Sequence, residues 1–176
     1  MTLTQELQGL IDAECAKANT HAVILRVQSG DGAATPDTRF PIASIAKMFT
    51  ATLIMQLVDE GQIELDETVQ GILTNTDLSG LHVVNAVDYS ADLTIQQLLH
   101  QTSGLADYYE SDLANDLKLG NDRSYGLNDV LQMTRTLPPQ AAPGTDRSYY
   151  SDTNYQLLGA VIEAATGQSY DQALQS

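Results

Sequence analysis

Residues 40–61 read FPIASIAKMFTATLIMQLVDEG, an apolar helix from Ser44 to Glu60 closed by Gly61, with one charge out of place: Lys47 in its first turn. A serine at a helix start is an ordinary N-cap, but the reciprocal capping box wants Glu or Gln three residues on, and Lys47 stands there instead. A first-turn cation opposes the helix dipole at a cost of roughly 0.3–1 kcal/mol, and more if it is desolvated. Met48, Phe49, Leu53, Ile54, Met55, Leu57 and Val58 make the helix apolar around much of its circumference, which predicts burial.

Each of these costs becomes a use if the pair is chemical. Positions i and i+3 share a helix face with Cβ atoms about 5–6 Å apart, so the Lys47 amine reaches the Ser44 hydroxyl. Burial and the positive helix end both favour a neutral amine, the form that accepts a proton from serine. The first amides of the helix can help to stabilise an oxyanion. Eleven serines and three lysines give about 0.2 Ser-x-x-Lys pairs by chance, so the motif is weak alone and gains weight from its place at the head of an apolar helix.

The 176 residues suffice for one domain with a core. With 43% hydrophobic and 18% charged residues, the composition argues against disorder. A formal net charge of −15 opposes binding to nucleic acid or to an anionic membrane surface. The longest apolar run, Met48 to Val58, is too short to span a bilayer, and no basic segment followed by an apolar one opens the chain, which predicts a cytoplasmic location. Cys15 is the only cysteine; it excludes an internal disulfide and a cysteine-rich metal site, and reads as a small buried residue on the first helix.

Leu3 to Ala18 carries a helical apolar stripe, and His21 to Gln28 is dense in β-branched and aliphatic residues, so helix then strand is expected. After a Gly- and Pro-rich connector comes the Ser44 helix, then a segment for which Asp66 is the candidate cap. Thr94 caps a helix that stops at Thr102 to Gly104. The span from Asp107 to Tyr125 reads as surface loop and short helix, and Leu127 to Thr136 is helical until Pro138 and Pro139 end it. A last helix runs from Thr153 to Thr166 and ends at Gly167. No second strand stands out, although LHVVNAVDY at 81–89 has a mixed pattern.

Three ordered blocks carry a family resemblance. RFPIASIAKMFTATLIMQLVDEGQIELDETV resembles the active-site helix of the serine β-lactamase and D,D-peptidase superfamily, in the branch with class C β-lactamases, penicillin-binding D,D-carboxypeptidases and related esterases. LTIQQLLHQTSGLADY at 93–108 resembles that branch's Thr-Ser-Gly segment, and PGTDRSYYSDTNYQLLGAVIEAATG at 143–167 resembles its Tyr-x-Asn segment and the helix after it. The resemblance implies an α/β (α+β) β-lactamase-like fold, with residues 1–43 as the start of the sheet subdomain and 44–176 as the nucleophile helix and helical subdomain.

It also implies roles. Ser44 is the nucleophile of an acyl-enzyme, Lys47 its activating partner and Tyr150 a second proton-relay group; on residues alone, Tyr150 reads as a tyrosine closing an apolar pocket. Asp152 stands where the family has Asn and is a substrate-binding candidate, or else an N-cap for the following helix. Gln101 takes the family's histidine position, while His100, His82 and His21 read as structural or surface residues. No metal or organic cofactor is implied, and the substrate is a small molecule or peptide with an amide, lactam or ester bond. The family's late Lys-Thr-Gly or His-x-Gly strand, which supplies part of the oxyanion hole, has no match here. The expected sheet therefore lacks its C-terminal strands, which implies self-association or a complementing C-terminal chain. The rival expectation is a non-catalytic interaction or structural fragment of the same fold.

Overall fold

The computed structural model describes residues 42–120 and 123–175, together with positions 5, 8, 9, 12, 13 and 16. The chain divides into two compact units, Met1–Pro41 and Ile42–Ser176. In the first, Gln5, Gln8, Gly9, Asp12 and Ala13 are helical, and the Ala16 amide donates to the Asp12 carbonyl at 3.0 Å, in keeping with the expected first helix. The expected strand at His21–Gln28, and the readings of Cys15 and His21, lie outside the described residues.

The second unit opens with a 3-10 turn, Ala43–Ile45, that runs into α1, Ala46–Asp59. There follow α2 (Val69–Ile72), a hairpin of β1 (Val83–Val84) and β2 (Val87–Asp88), and α3 (Ile95–Leu99). A second 3-10 turn (Tyr108–Glu110), α4 (Leu113–Lys118), α5 (Leu127–Arg135), α6 (Asp152–Thr166) and α7 (Tyr170–Ala173) complete it. Among the described residues the sheet is this one antiparallel hairpin, pairing Val83 with Asp88 and Val84 with Val87. Asn85 and Ala86 both have positive φ, as a two-residue type I′ turn requires, which is how the mixed pattern at 81–89 resolves.

Helix α6 is the hub, packing against α1, α3, α5 and α7. Asn154, Leu157, Leu158, Val161 and Ile162 are fully buried along it at the spacing of one helix face, and Gly167, in the left-handed conformation, ends it as expected. Ile54 and Leu57 of α1, Ile95 and Leu98 of α3 and Leu131 of α5 meet the same core. Each fully buried aliphatic side chain of this stripe contributes about 1.5–3 kcal/mol to holding the helices together.

Capping explains most helix ends. After α1, Gly61 at φ +69 lets its own amide reach the Val58 carbonyl and the Gln62 amide reach Leu57, the paired bonds of a Schellman motif. Thr94 and Gln97 form a full capping box on α3. Two expectations need correction. Thr68, not Asp66, caps α2: reciprocal backbone bonds from Val69 to Leu93 and from Ile95 to Glu67 hold Thr68 extended, so its hydroxyl accepts from the Gly71 amide. Helix α1 is not buried all round. Thr50, Ile54 and Leu57 are buried, whereas Met48 is 69% and Phe49 51% exposed, because no described element packs on that face.

His82 lies fully buried beside Tyr89, with no side-chain hydrogen bond formed by either ring nitrogen among the described residues. Burial pushes its pKa below the ordinary 6.5, with the Ala141 backbone and the Asp88 charge opposing only in part. The unfolded chain therefore binds this proton more readily. Its contribution to stability is complete above about pH 6.5 and is lost as pH falls through the depressed folded value. Urea unfolding at neutral and mildly acid pH should show a smaller acid loss for His82→Phe than for the parent; equal losses would remove His82 as the cause.

Candidate active site

Ser44 sits in the 3-10 turn just ahead of α1, after Ala43 at φ +48. A positive φ at alanine is strained, and here it falls next to the candidate nucleophile, where such strain is commonly held. Ser44 is exposed, and Lys47 follows one turn later with its side chain largely covered. The Lys47 Nζ lies 3.4 Å from Ser44 Oγ, as the i, i+3 spacing predicts. Tyr150, distant in sequence, places its hydroxyl 2.7 Å from Ser44 Oγ. The Lys47 ammonium also stands 4.8 Å from the Tyr150 ring centre and 5.6 Å from that of Tyr155.

Asp152 completes the cluster. It is the first residue of α6, and the N-cap position belongs to Ser151, so the capping reading of Asp152 does not hold. Its Oδ1 pairs with Lys47 Nζ and accepts from the Tyr150 hydroxyl at 3.3 Å. A carboxylate in a first turn suits the helix dipole. All four predicted site residues thus converge, Asp152 on the lysine and tyrosine.

The expected push of burial on Lys47 toward a neutral amine is present but opposed. Burial does pull its pKa down, but hydrogen bonds and charge from Asp152 and Tyr150 outweigh burial and leave it above the ordinary 10.5. Lys47 is an ammonium at neutral pH. Nearby, burial and then the Asp152 charge raise the Asp107 carboxyl, and its side chain caps the Tyr109 amide.

What aims Tyr150 is a buried polar clasp. At the end of α3, Gln101 takes φ +59, the conformation that usually calls for glycine. Its carbonyl accepts from the Tyr149 amide at 2.8 Å, and its side-chain oxygen accepts from the Ser151 amide at 2.9 Å and from the Asn154 amide group. Ser103 Oγ donates to Asn154 Oδ1 at 2.6 Å, and the Ser151 and Thr153 hydroxyls both donate to the Ala106 carbonyl. Gly104, at φ +75, has no room for a side chain: a Cβ there would stand 2.2 Å from the Ala141 carbonyl oxygen. Residues on both sides of Tyr150 are therefore pinned while its own side chain stays 54% exposed. Gln101, Ser103 and Asn154 were not candidates from sequence; the signal was Gln101 in the family's histidine position beside Thr-Ser-Gly.

The cluster opens on a cleft of about 780 Å³ lined by Ser44, Lys47, Tyr108, Asp152, Tyr155 and Gln156, which continues between α1 and α6 to Glu163 and Tyr170. Among the described residues no group of His, Cys, Asp and Glu could hold a metal ion, and no helix is long and apolar enough to cross a membrane.

Asn154→Ala would take from Gln101 Oε1 one of its two donors, leaving the Ser151 amide, and would leave the buried Ser103 hydroxyl proton without its acceptor. At about 1–3 kcal/mol for a buried polar group left unpaired, urea unfolding should show a loss of about 2–3 kcal/mol. A change under about 0.5 kcal/mol would mean that water replaces the clasp.

The chain is similar to several known proteins. A family profile described as Beta-lactamase matches residues 18–176. Penicillin-binding protein 4 of Amycolatopsis lactamdurans is 37% identical over 142 residues, covering 81% of this chain and 34% of that protein. Among solved structures, a D-stereospecific amidohydrolase from Streptomyces sp. superposes with a TM-score of 0.65 at 31% identity, over 77% of this chain and 40% of the other. The D-amino acid amidase of Ochrobactrum anthropi SV3, complexed with L-phenylalanine, gives 0.61 at 27% identity, over 77% and 33%. The chain spans only about a quarter to a third of the length of the curated relatives it matches. On the profile match and the 37% relative together, the chain belongs to the beta-lactamase family of serine hydrolases and penicillin-binding proteins.

Proposed function

We propose that Ser44 is the nucleophile of an acyl-transfer reaction in which an amide, lactam or ester is cleaved through an acyl-enzyme, with Lys47 and Tyr150 serving its proton and charge. The observation that carries this reading is the contact of Ser44 Oγ with Tyr150 OH at 2.7 Å and Lys47 Nζ at 3.4 Å, in an open cleft. A coincidental Ser-x-x-Lys pair would have no reason to gather a tyrosine 106 positions away onto the serine oxygen.

Both the relatives and the cleft support a narrower substrate class. Relatives named for D-amino acid amides and for penicillin binding favour an amide or lactam next to a D-configured centre. Among the described lining residues Lys47 is the one cation, and Asp152 already occupies it, while Glu163 adds a further acid. That balance suits a substrate presenting a neutral or ammonium group to this side of the cleft.

A folded sample treated with a fluorophosphonate, and separately with benzylpenicillin, should gain the mass of one adduct, and Ser44→Ala should gain none. An adduct that survives in Ser44→Ala would place the nucleophile elsewhere. No adduct from a folded sample would favour the second reading, an interaction fragment. The exposed Ile45, Met48, Phe49 and Met55 side chains of the 3-10 turn and α1 support that alternative as a surface for self-association or for a complementing chain.

A further inference from the structure

One arrangement of protons satisfies both hydrogen bonds of Tyr150 at once. An ionised carboxylate only accepts, so across the 3.3 Å contact the Tyr150 hydroxyl donates to Asp152 Oδ1. A phenol has a single proton, which leaves the Tyr150 oxygen as acceptor in the 2.7 Å contact with Ser44. In that arrangement the Ser44 hydroxyl donates to Tyr150, one of the two directions open to this contact. Lys47 Nζ donates to the same Asp152 oxygen and, more weakly, to Ser44 Oγ. The outcome is a directed chain from Ser44 through Tyr150 to Asp152, flanked at both ends by one cation.

From this juxtaposition we infer that Asp152 is a positioning residue which, acting through Tyr150, is the terminal acceptor of the serine proton, a task that the amide of an Asn at this place could not perform. The inference rests on the acyl-enzyme reading above. As Ser44 Oγ bonds to the substrate carbonyl carbon, the C=O π pair moves onto the oxygen. The Ser44 proton passes to the Tyr150 oxygen while the Tyr150 proton passes to Asp152 Oδ1. Collapse restores the C=O bond and breaks the bond to the leaving nitrogen or oxygen. The leaving atom takes a proton from Tyr150, and Asp152 returns its own to Tyr150.

This route forms no phenolate, which is its physical advantage. A charged Tyr150 oxygen would lie 3.3 Å from the Asp152 carboxylate, and like charges at that distance oppose each other. Lys47 contributes as a fixed cation. It stays protonated because Asp152 and Tyr150 overcome the effect of its burial, so it is a poor acceptor for the serine proton. The groups facing Asp152 are Lys47 from α1, Tyr150 just before α6, and Asp107 and Tyr108 at the second 3-10 turn; Tyr155 faces Lys47 from α6. Asp107 and Asp152 repel across this site, which leaves the Lys47 ammonium as the compensating charge.

The test is the rate of acylation by a p-nitrophenyl ester from acid to alkaline pH, followed by intact mass, in the parent, Asp152→Asn, Asp152→Glu and Ser44→Ala. Asn keeps the shape and an oxygen for Lys47 but cannot accept the relayed proton. Acylation should slow by about 100-fold, the size of a lost general-base step, and the fall in rate toward acid pH should disappear, with Glu restoring part of both. Asp152→Asn within about threefold of the parent, with its acid limb unchanged, overturns the relay alone. Adducts independent of Ser44, or none in the parent, overturn the acyl-enzyme reading and the relay with it. NMR titration of the Lys47 side chain, with Lys17 and Lys118 replaced by Arg, checks the geometry without substrate. Its midpoint should drop in Asp152→Asn, and an unmoved midpoint removes the contact on which the relay depends.

Discussion

The pairing of Lys47 with Asp152 joins the first turns of two helices, and the site is arranged around it. Alone, Lys47 faces the positive end of α1 and is largely covered, both of which disfavour an ammonium group. Asp152 is favoured where it stands, at the start of α6. Bringing the two together offsets the first penalty with a charge that the second helix already holds. The pair also fixes the distance between α1 and α6 at the point where Ser44 needs Tyr150. A partly buried pair gains less than its Coulomb energy suggests, because both groups give up water. Its effect is better described as fixing geometry and protonation than as adding stability.

The clasp beneath it answers a different demand. Tyr150 is half exposed, so little of its own packing can hold it. Its neighbours are held instead, Tyr149 and Ser151 by Gln101 and Ser151 again by Ala106. The left-handed backbone at Gln101 costs about 1–2 kcal/mol, and glycine would avoid that cost. Glycine would also lose the side-chain oxygen that receives Ser151 and Asn154. The strain persists because the bonds it permits are buried and would be expensive to leave unmade.

The legibility of the sequence followed the range of the forces involved. Ser44 and Lys47 were readable because a helix fixes i, i+3 geometry locally, and the Thr94 cap and the ends at Gly61 and Gly167 were readable for the same reason. Tyr150 came from the family resemblance alone, since nothing local predicts a contact across 106 positions. Asp66 was mistaken for the cap of α2 because the bridge between Thr68 and Thr94 is tertiary and selects the later residue. The opposing pull on Lys47 was unreadable on the same ground: helix dipole and burial can be judged from a sequence, but a carboxylate arriving from α6 cannot. The half-exposed α1 shows that an apolar pattern states what a helix can bury, not what lies beside it.

The place of Asp152 also bears on how the site would distribute binding and chemistry. An Asn at this position keeps a donor for a substrate carbonyl and leaves a lysine partner less strongly held. The carboxylate gives up that donor and binds the ammonium through an ion pair, a charge-assisted contact roughly twice as strong as a neutral one. Under the relay proposed above, hydrogen-bond donation to a substrate would come from groups other than Asp152, and the Gln156 amide and the Tyr108 hydroxyl, 3.4 Å apart, are neutral donors among the described lining residues. The exchange would trade recognition at one atom for control of proton position at another, and would tie the proposed acylation to a residue that does not itself touch the scissile bond.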